Sequence, residues 1–160
     1  MPRLLTIGYG NRGFEAVIQR LRSLEVTHVV DVRRIPESSY WTDFRRRNLE
    51  MSLPEHGFRY VYMGDTLGAP EDPGCPEAAA ALDRGVRALV NAAQDPSRQL
   101  CLMCGCLRAE KCHRSALLGP AILATGLELL HVNEHDQLIP HANLPADPEK
   151  LQGDLFNLLA

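Results

Sequence analysis

The stretch LLTIGYGNRGFEAVIQRLRSLEVTHVVDV, residues 4–32, decides the fold. It opens with an apolar run, residues 4–9, that ends in Gly-Tyr-Gly-Asn, a pattern typical of a buried strand. Residues 28–32 form a second apolar run of the same kind. Between them, with Asn11 near the expected N-cap, apolar residues follow helical spacing: Phe14, Val17, Ile18, Leu21 and Leu24. A strand, a helix and a strand in this order predict a parallel sheet.

The rest of the chain continues this alternation. Further strands are predicted at residues 58–63, 99–103 and 127–132, and a long loop at 64–76. Helices are predicted at about residues 43–53, 78–93 and 113–125, the last kinked or delayed by Gly119-Pro120. We therefore expect an α/β fold: a single three-layer domain over residues 1–160, with about five mainly parallel strands and helices on both faces.

The tail has a pattern of its own. Leu151, Leu155, Phe156 and Leu159 stand at helical spacing. This spacing predicts that the segment 140–160 ends in a helix that packs back on the domain. A contact within a dimer is the second choice, and the sequence leaves the oligomeric state open.

Composition and charge exclude several classes of protein. The chain has 160 residues, of which 45% are hydrophobic and 23% are charged, so wholesale disorder is not expected. No apolar stretch reaches about 18 residues and the first residues lack a signal-peptide pattern, which predicts a cytoplasmic protein without a membrane span. The net charge of −3 argues against a generic nucleic-acid binder.

Four of the five cysteines fall within twelve residues: Cys101, Cys104, Cys106 and Cys112. Cys104 follows a predicted strand and precedes a predicted helix, where backbone N–H groups and nearby positive charges lower a thiol pKa. Cys104 is therefore the candidate nucleophile, and Cys106 or Cys112 can resolve a disulfide. The alternative is that these thiols are small buried apolar groups, above all Cys101.

Zinc is a third interpretation of the same cysteines. Together with His113 they supply ligand types that zinc accepts, but the spacing C-x-C-x5-C-H lacks the usual C-x2-C pair. We therefore predict no metal, and no motif indicates another cofactor. The glycine-rich loops of ATPases and of dinucleotide enzymes are absent from the sequence.

Charged residues follow the predicted strands at the edge where such sheets bind ligands. Asp31 and Arg33 flank a valine and share one face, so Asp31 can orient Arg33 toward an anion; a purely structural ion pair is the alternative. His113 and Arg114 begin a predicted helix, an arrangement typical of anion sites. The alternative there is that His113 caps the helix and Arg114 points to solvent.

A basic and aromatic segment completes the candidates. Tyr40 and Trp41 precede the run Arg45-Arg46-Arg47. Aromatic side chains interleaved with arginines can clamp a nucleotide or a nucleic acid. The alternative is a solvated helix face.

The motifs also resemble a known family. Residues 6–11, Thr-Ile-Gly-Tyr-Gly-Asn, resemble the opening pattern Thr-Ile-Gly-His-Ser-Thr of the family called domain of unknown function 488. Residues 30–33 are similar to its Asp-Val-Arg stretch, and residues 57–60 to its third-strand region. Residues 102–104 and 112–114 resemble its Leu-Leu-Cys and Cys-His-Arg elements. The likeness spans about residues 4–132 and implies this fold and site, but no reaction.

Two departures and one looser likeness bear on the chemistry. Tyr9 stands where the family commonly has His, and Cys104-Gly105-Cys106 replaces its Cys-Ala-Glu. Rhodanese-type sulfurtransferases also place Asp-x-Arg after one strand and a cysteine after another. Their phosphate cradle closes with an arginine at a fixed spacing from that cysteine, and neither Arg108 nor Arg114 stands at this spacing from Cys104.

These patterns together predict a cleft lined by cysteine and arginine that binds a small anion. The expected catalytic residues are Cys104 and Asp31. The expected substrate-binding residues are Tyr9, Asn11, Arg33, Trp41, His113 and Arg114. A thiol-dependent transferase or hydrolase, such as a sulfurtransferase, is the first hypothesis. A module that binds a nucleotide or nucleic acid and has structural thiols is the alternative.

Overall fold

A mainly parallel sheet of six strands lies at the centre of the computed structural model, which describes residues 2–146. The strands are β1 (Arg3–Gly8), β2 (His28–Asp31), β3 (Arg59–Tyr62), β4 (Leu100–Cys104), β5 (Glu128–Val132) and β6 (Leu138–Pro140). The helices are α1 (Phe14–Ser23), α2 (Arg46–Glu55), α3 (Gly64–Leu67), α4 (Pro76–Ala93), α5 (His113–Ala116) and α6 (Leu118–Leu123).

The strand order brings three loops together at one edge of the sheet. The order is β3-β2-β4-β1-β5-β6, and the first five strands are parallel. In this order β2, β4 and β1 are neighbours. Their carboxyl ends therefore meet near the middle of the sheet, where ligands of such sheets bind.

Helices cover both faces of the sheet. On one face the buried side chains of α1 and α2, such as Val17 and Leu49, pack on Ile7 and Val29. On the other face α4 and α6 bury Leu89 and similar residues against the opposite side chains of the strands. These two cores confirm the predicted α/β fold with three layers.

One strand more was found than the sequence predicts. β6 is antiparallel to β5, and Leu138 pairs with Val132. It has only three residues and ends in Pro140, so it shows no strand periodicity. A proline is tolerated there because an edge strand needs no donor on its free side.

Helix boundaries also differ from the prediction. The helix expected at 113–125 is two short helices, α5 and α6, since Pro120 has no N–H to bond the carbonyl of Ala116. The helix expected at 43–53 begins at Arg46, after a 3-10 turn at Thr42–Phe44. The loop expected at 64–76 contains α3.

Two further points concern the tail and the membrane. The helix expected within 140–160 lies largely outside the described residues; the described part holds the end of β6 and a 3-10 turn, His141–Asn143. Among residues 2–146, no helix has the length and apolar character needed to cross a membrane.

Candidate functional site

A cleft of about 380 Å³ opens beyond the carboxyl ends of β2 and β4. Three of the residues singled out in the sequence line it: Arg33, Cys104 and His113. The others that line it are Arg34, Ile35, Ala69, Pro70, Gly105 and Cys106. The cleft thus combines arginines on one wall with thiols on the other.

Asp31 holds Arg33 in place on the first wall. The Asp31 carboxylate is fully buried and accepts hydrogen bonds from Arg33 Nε (2.8 Å) and Nη2 (2.6 Å). It also accepts from the Arg33 backbone N–H (3.1 Å) and from the Tyr60 hydroxyl (2.6 Å). Burial and the hydrogen bond to Asp31 raise the pKa of Tyr60, so Tyr60 keeps the proton that it donates.

Tyr9 also contacts the guanidinium of Arg33. Its hydroxyl accepts a hydrogen bond from Arg33 Nη1 (3.3 Å), and its ring stacks on Phe44 with centroids 4.1 Å apart. Tyr9 and Asp31 are buried and do not line the cleft, which corrects the expectation that both would face the ligand directly. A guanidinium has five N–H groups, and three of those on Arg33 are used here. Two remain for an anion.

Three thiols gather on the second wall. The Sγ atoms of Cys104, Cys106 and Cys112 lie within 4.8 Å of one another, and Cys104 and Cys112 are 2.9 Å apart. Cys104 and Cys112 are buried, each 2% exposed. Cys106 is exposed and is the sulfur that a reagent in the cleft can reach.

The close approach of the three sulfurs shifts their pKa values in different directions. The neighbouring thiols of Cys104 and Cys112 lower the pKa of Cys106 far below its usual value, and the positive charge of Arg114 adds to this. Hydrogen bonds to Cys106 and Cys112, together with burial, raise the pKa of Cys104. The hydrogen bond from Cys104 lowers the pKa of Cys112, but the one to Cys106 and burial outweigh it, and the pKa rises to about 11. These directions favour Cys106 as the sulfur that carries the charge.

Arg114 is the buried cation beside these thiols. Its side chain is fully buried and donates from Nη2 to the Leu107 carbonyl (3.2 Å). Within residues 2–146, its Nε and Nη1 have no hydrogen-bond partner and no carboxylate forms an ion pair with it. It passes beside Gly8, where an added Cβ would lie 3.2 Å from Nη2. The alternative that Arg114 points to solvent is therefore wrong, and Arg114 also does not line the cleft.

His113 connects the two walls. Its Nε2 donates to the Val32 carbonyl (3.0 Å), which leaves Nδ1 without a proton, 3.7 Å from Cys112 Sγ. Burial lowers the pKa of His113, so the ring is neutral near pH 7 and can accept a proton.

Two expected ligand-binding residues lie away from the cleft. Asn11 is exposed and precedes α1 by three positions, after β1 has ended. Trp41 packs edge-on against Tyr40, with ring centroids 4.7 Å apart, and partly against the core beneath. Neither residue lines the cleft, so the prediction that they contact its ligand is wrong for this geometry.

The three sulfurs are also close enough to hold one soft metal ion. Two thiolates bonded to one zinc at about 2.3 Å stand about 3.8 Å apart in a tetrahedral site. Cys104 and Cys112 are closer than that, at 2.9 Å. The three sulfurs are thus near enough to share one ion, although this pair does not have the spacing of a tetrahedral zinc site.

Comparison with known proteins gives one match. Residues 13–74 match the model of the family described as Domain of unknown function DUF488. The match supports the resemblance to this family that the sequence motifs indicate. The DUF488 match includes Asp31, Arg33 and Tyr60, but it ends before the cysteines begin. No curated protein and no solved structure matches the chain significantly.

Two residues of this site, Tyr60 and Cys106, have positions or roles that the sequence did not predict. Tyr60 lies inside the DUF488 match and reaches Asp31 from β3. Its alternation with Tyr62 indicates a shared face, but only the register of β3 on β2 shows that this face meets Asp31. Cys106 was expected to resolve a disulfide rather than to act as the nucleophile, since the spacing to Cys104 does not show which thiol is exposed.

Proposed function

We propose that this protein is a thiol-dependent sulfurtransferase in which Cys106 takes a sulfur atom from a small anionic donor. The observation that carries the proposal is one exposed sulfur, Cys106, at an arginine-lined cleft, backed by two buried thiols and a buried arginine. The nucleophile expected from sequence was Cys104. We assign the role to Cys106 because Cys104 is 2% exposed and its pKa is raised.

The first wall supports binding of an anion. Arg33 has two free N–H groups and cannot turn away, because Asp31 holds two of its nitrogens. Arg34 adds a second guanidinium whose ion pair with Glu71 (2.8 Å) is exposed to solvent. Exposed pairs contribute little stability, about 0–1 kcal/mol, so Arg34 can exchange this partner for a ligand.

The reaction conserves atoms and charge. The Cys106 thiolate attacks the outer sulfur of thiosulfate, a sulfur–sulfur bond forms, and the bond to the sulfite sulfur breaks with its electron pair. Sulfite leaves, and Cys106 holds a persulfide anion. The neighbouring thiols of Cys104 and Cys112 and the charge of Arg114 then stabilise this anion as they stabilise the thiolate.

An acceptor thiol completes the cycle. It must lose its proton before it attacks the outer sulfur of the persulfide, and the neutral His113 lines the cleft with an unprotonated Nδ1 that can accept it. The new sulfur–sulfur bond forms on the acceptor while Cys106 leaves as thiolate. A cycle of this kind needs a reducing compartment, and we place the protein in the cytoplasm for that reason.

The alternative, a binding module for nucleotides or nucleic acids, has less support. Arg46 already pairs with Glu50 (2.8 Å) and lies 4.2 Å above the Tyr62 ring. Arg45 donates to the Ser38 carbonyl (2.8 Å). Of the basic run, this leaves Arg47, which is exposed. A salt-sensitive affinity for single-stranded nucleic acid would favour this alternative.

Mass spectrometry after incubation with thiosulfate tests the proposal. The wild-type protein should gain one sulfur atom on the peptide that contains Cys106. Cys106→Ser should gain none, and the control Cys75→Ser should behave as wild type, because Cys75 lies outside the cleft. No gain in the wild-type protein, or one equivalent of zinc bound by the three thiols, would contradict sulfur transfer.

A further inference from the structure

A second cavity of about 340 Å³ adjoins the cleft, between α3 and α4. Arg34 and Pro70 line both cavities, so a molecule bound in one can extend past these two side chains into the other. The second cavity has the size and depth of a small-molecule site.

The walls of the second cavity are rigid because glycines let the backbone pack closely. A Cβ at Gly64 would overlap the Arg33 carbonyl, and one at Gly68 would lie 2.8 Å from the Arg34 Cα. A Cβ at Gly85 would lie 2.6 Å from Leu67, so α4 also rests directly on α3. The cavity is therefore formed before any ligand binds.

Its lining is mainly apolar. Ala78, Ala81 and Leu82 of α4 form one side, and Leu117 lies opposite. The Tyr62 hydroxyl is already used, since it donates to the Arg34 carbonyl (2.8 Å). A ligand here is recognised by burial of apolar surface, with a guanidinium at the entrance to the thiol cleft.

We propose that the sulfur donor is an organic anion: its sulfur-bearing anionic end lies between Arg33 and Cys106, and its apolar body fills the second cavity. This inference rests on the proposed sulfur transfer and adds the class of donor. An aryl thiosulfonate has this shape. Attack by the Cys106 thiolate on its outer sulfur gives the same persulfide and releases an aryl sulfinate, which leaves with the electron pair.

Rates of persulfide formation with two donors test this directly. Benzenethiosulfonate has a phenyl ring where methanethiosulfonate has a methyl group. Burial of a ring predicts that wild-type kcat/KM is about tenfold higher for the benzene compound. Ala78→Phe fills the cavity and should reduce this ratio to about one. The control Ala80→Phe, an exposed position of α4 outside the cavity lining, should keep the wild-type ratio.

A binding measurement separates this inference from the proposed reaction. Calorimetry on Cys106→Ser protein compares benzenesulfonate with methanesulfonate, and neither compound can transfer sulfur. Tighter binding of benzenesulfonate that Ala78→Phe abolishes supports the cavity even if no donor forms a persulfide. Equal affinities together with equal rates for the two donors would overturn the inference and leave sulfur transfer itself intact.

Discussion

Arg33 and Arg114 are both buried, but within residues 2–146 only Arg33 forms an ion pair with a carboxylate. Arg33 is 7% exposed and meets the fully buried Asp31 in a two-point ion pair. Arg114 is fully buried and has no carboxylate partner within residues 2–146. Its positive charge acts to lower the pKa of Cys106.

The difference indicates separate roles for the two arginines. A buried charge without a counter-ion costs several kcal/mol, so a native protein keeps one only where something compensates for it. For Arg33 the compensation is Asp31, and the arginine presents its remaining N–H groups to the cleft. For Arg114 we infer that the compensation is the thiolate. In the proposed function, Arg33 would bind the ligand and Arg114 would stabilise the nucleophile.

The largest effect is expected when Arg33 loses its ion-pair partner, Asp31. Asp31→Ala leaves Arg33 buried without a counter-ion and should reduce the free energy of unfolding by about 3–5 kcal/mol, measured by urea denaturation. The double variant Asp31→Leu with Arg33→Met removes both charges and should recover most of this loss. A loss below about 1 kcal/mol in Asp31→Ala would show that the pair is not the buried unit described here.

A smaller effect is expected at the second arginine. Arg114→Met removes the cation beside the thiolate, so the pKa of Cys106 should rise. The midpoint of the curve of iodoacetamide alkylation rate against pH should therefore move to higher pH than in the wild-type protein, and Arg114→Lys should restore part of that difference. An unchanged pH dependence in folded Arg114→Met protein would show that Arg114 has no part in the thiolate.

The smallest effect is expected at Arg108, which is close to the cysteines in sequence but exposed. Arg108 is 55% exposed and lies 3.9 Å from Glu134. Its charge is screened by water. Arg108→Ala should change the alkylation rate of Cys106 by less than about twofold. A larger change would mean that general positive charge, rather than the buried Arg114, lowers the pKa.

Much of the fold was predictable because its strands are buried and apolar. The runs at residues 4–9 and 28–32 and the helix between them appear close to their expected bounds. β6 was not predictable, since three residues that end in Pro140 carry no periodicity. The division between α5 and α6 was predictable only as a kink at Pro120, because propensity does not fix where a backbone turn closes.

The loops that form the site were predictable from the sequence, but the roles of its residues were less so. Strand ends placed Arg33 and Cys104 at one cleft, as the parallel topology requires. The role of Arg114 depends on its burial beside Gly8, which residue spacing does not show. The choice between Cys104 and Cys106 depends on which thiol the following loop covers. Such long-range contacts exist only in the folded chain.

The pH dependence of alkylation at Cys106 tests the central claim, a stable Cys106 thiolate, most directly. The pKa of Cys106 is lowered, so the thiolate persists well below the usual thiol pKa of about 8.5. The iodoacetamide rate, assigned to Cys106 by peptide mass, should therefore be nearly flat between about pH 6 and pH 8. A rate that rises about tenfold per pH unit toward a midpoint near 8.5 would show an ordinary thiol and contradict the claim.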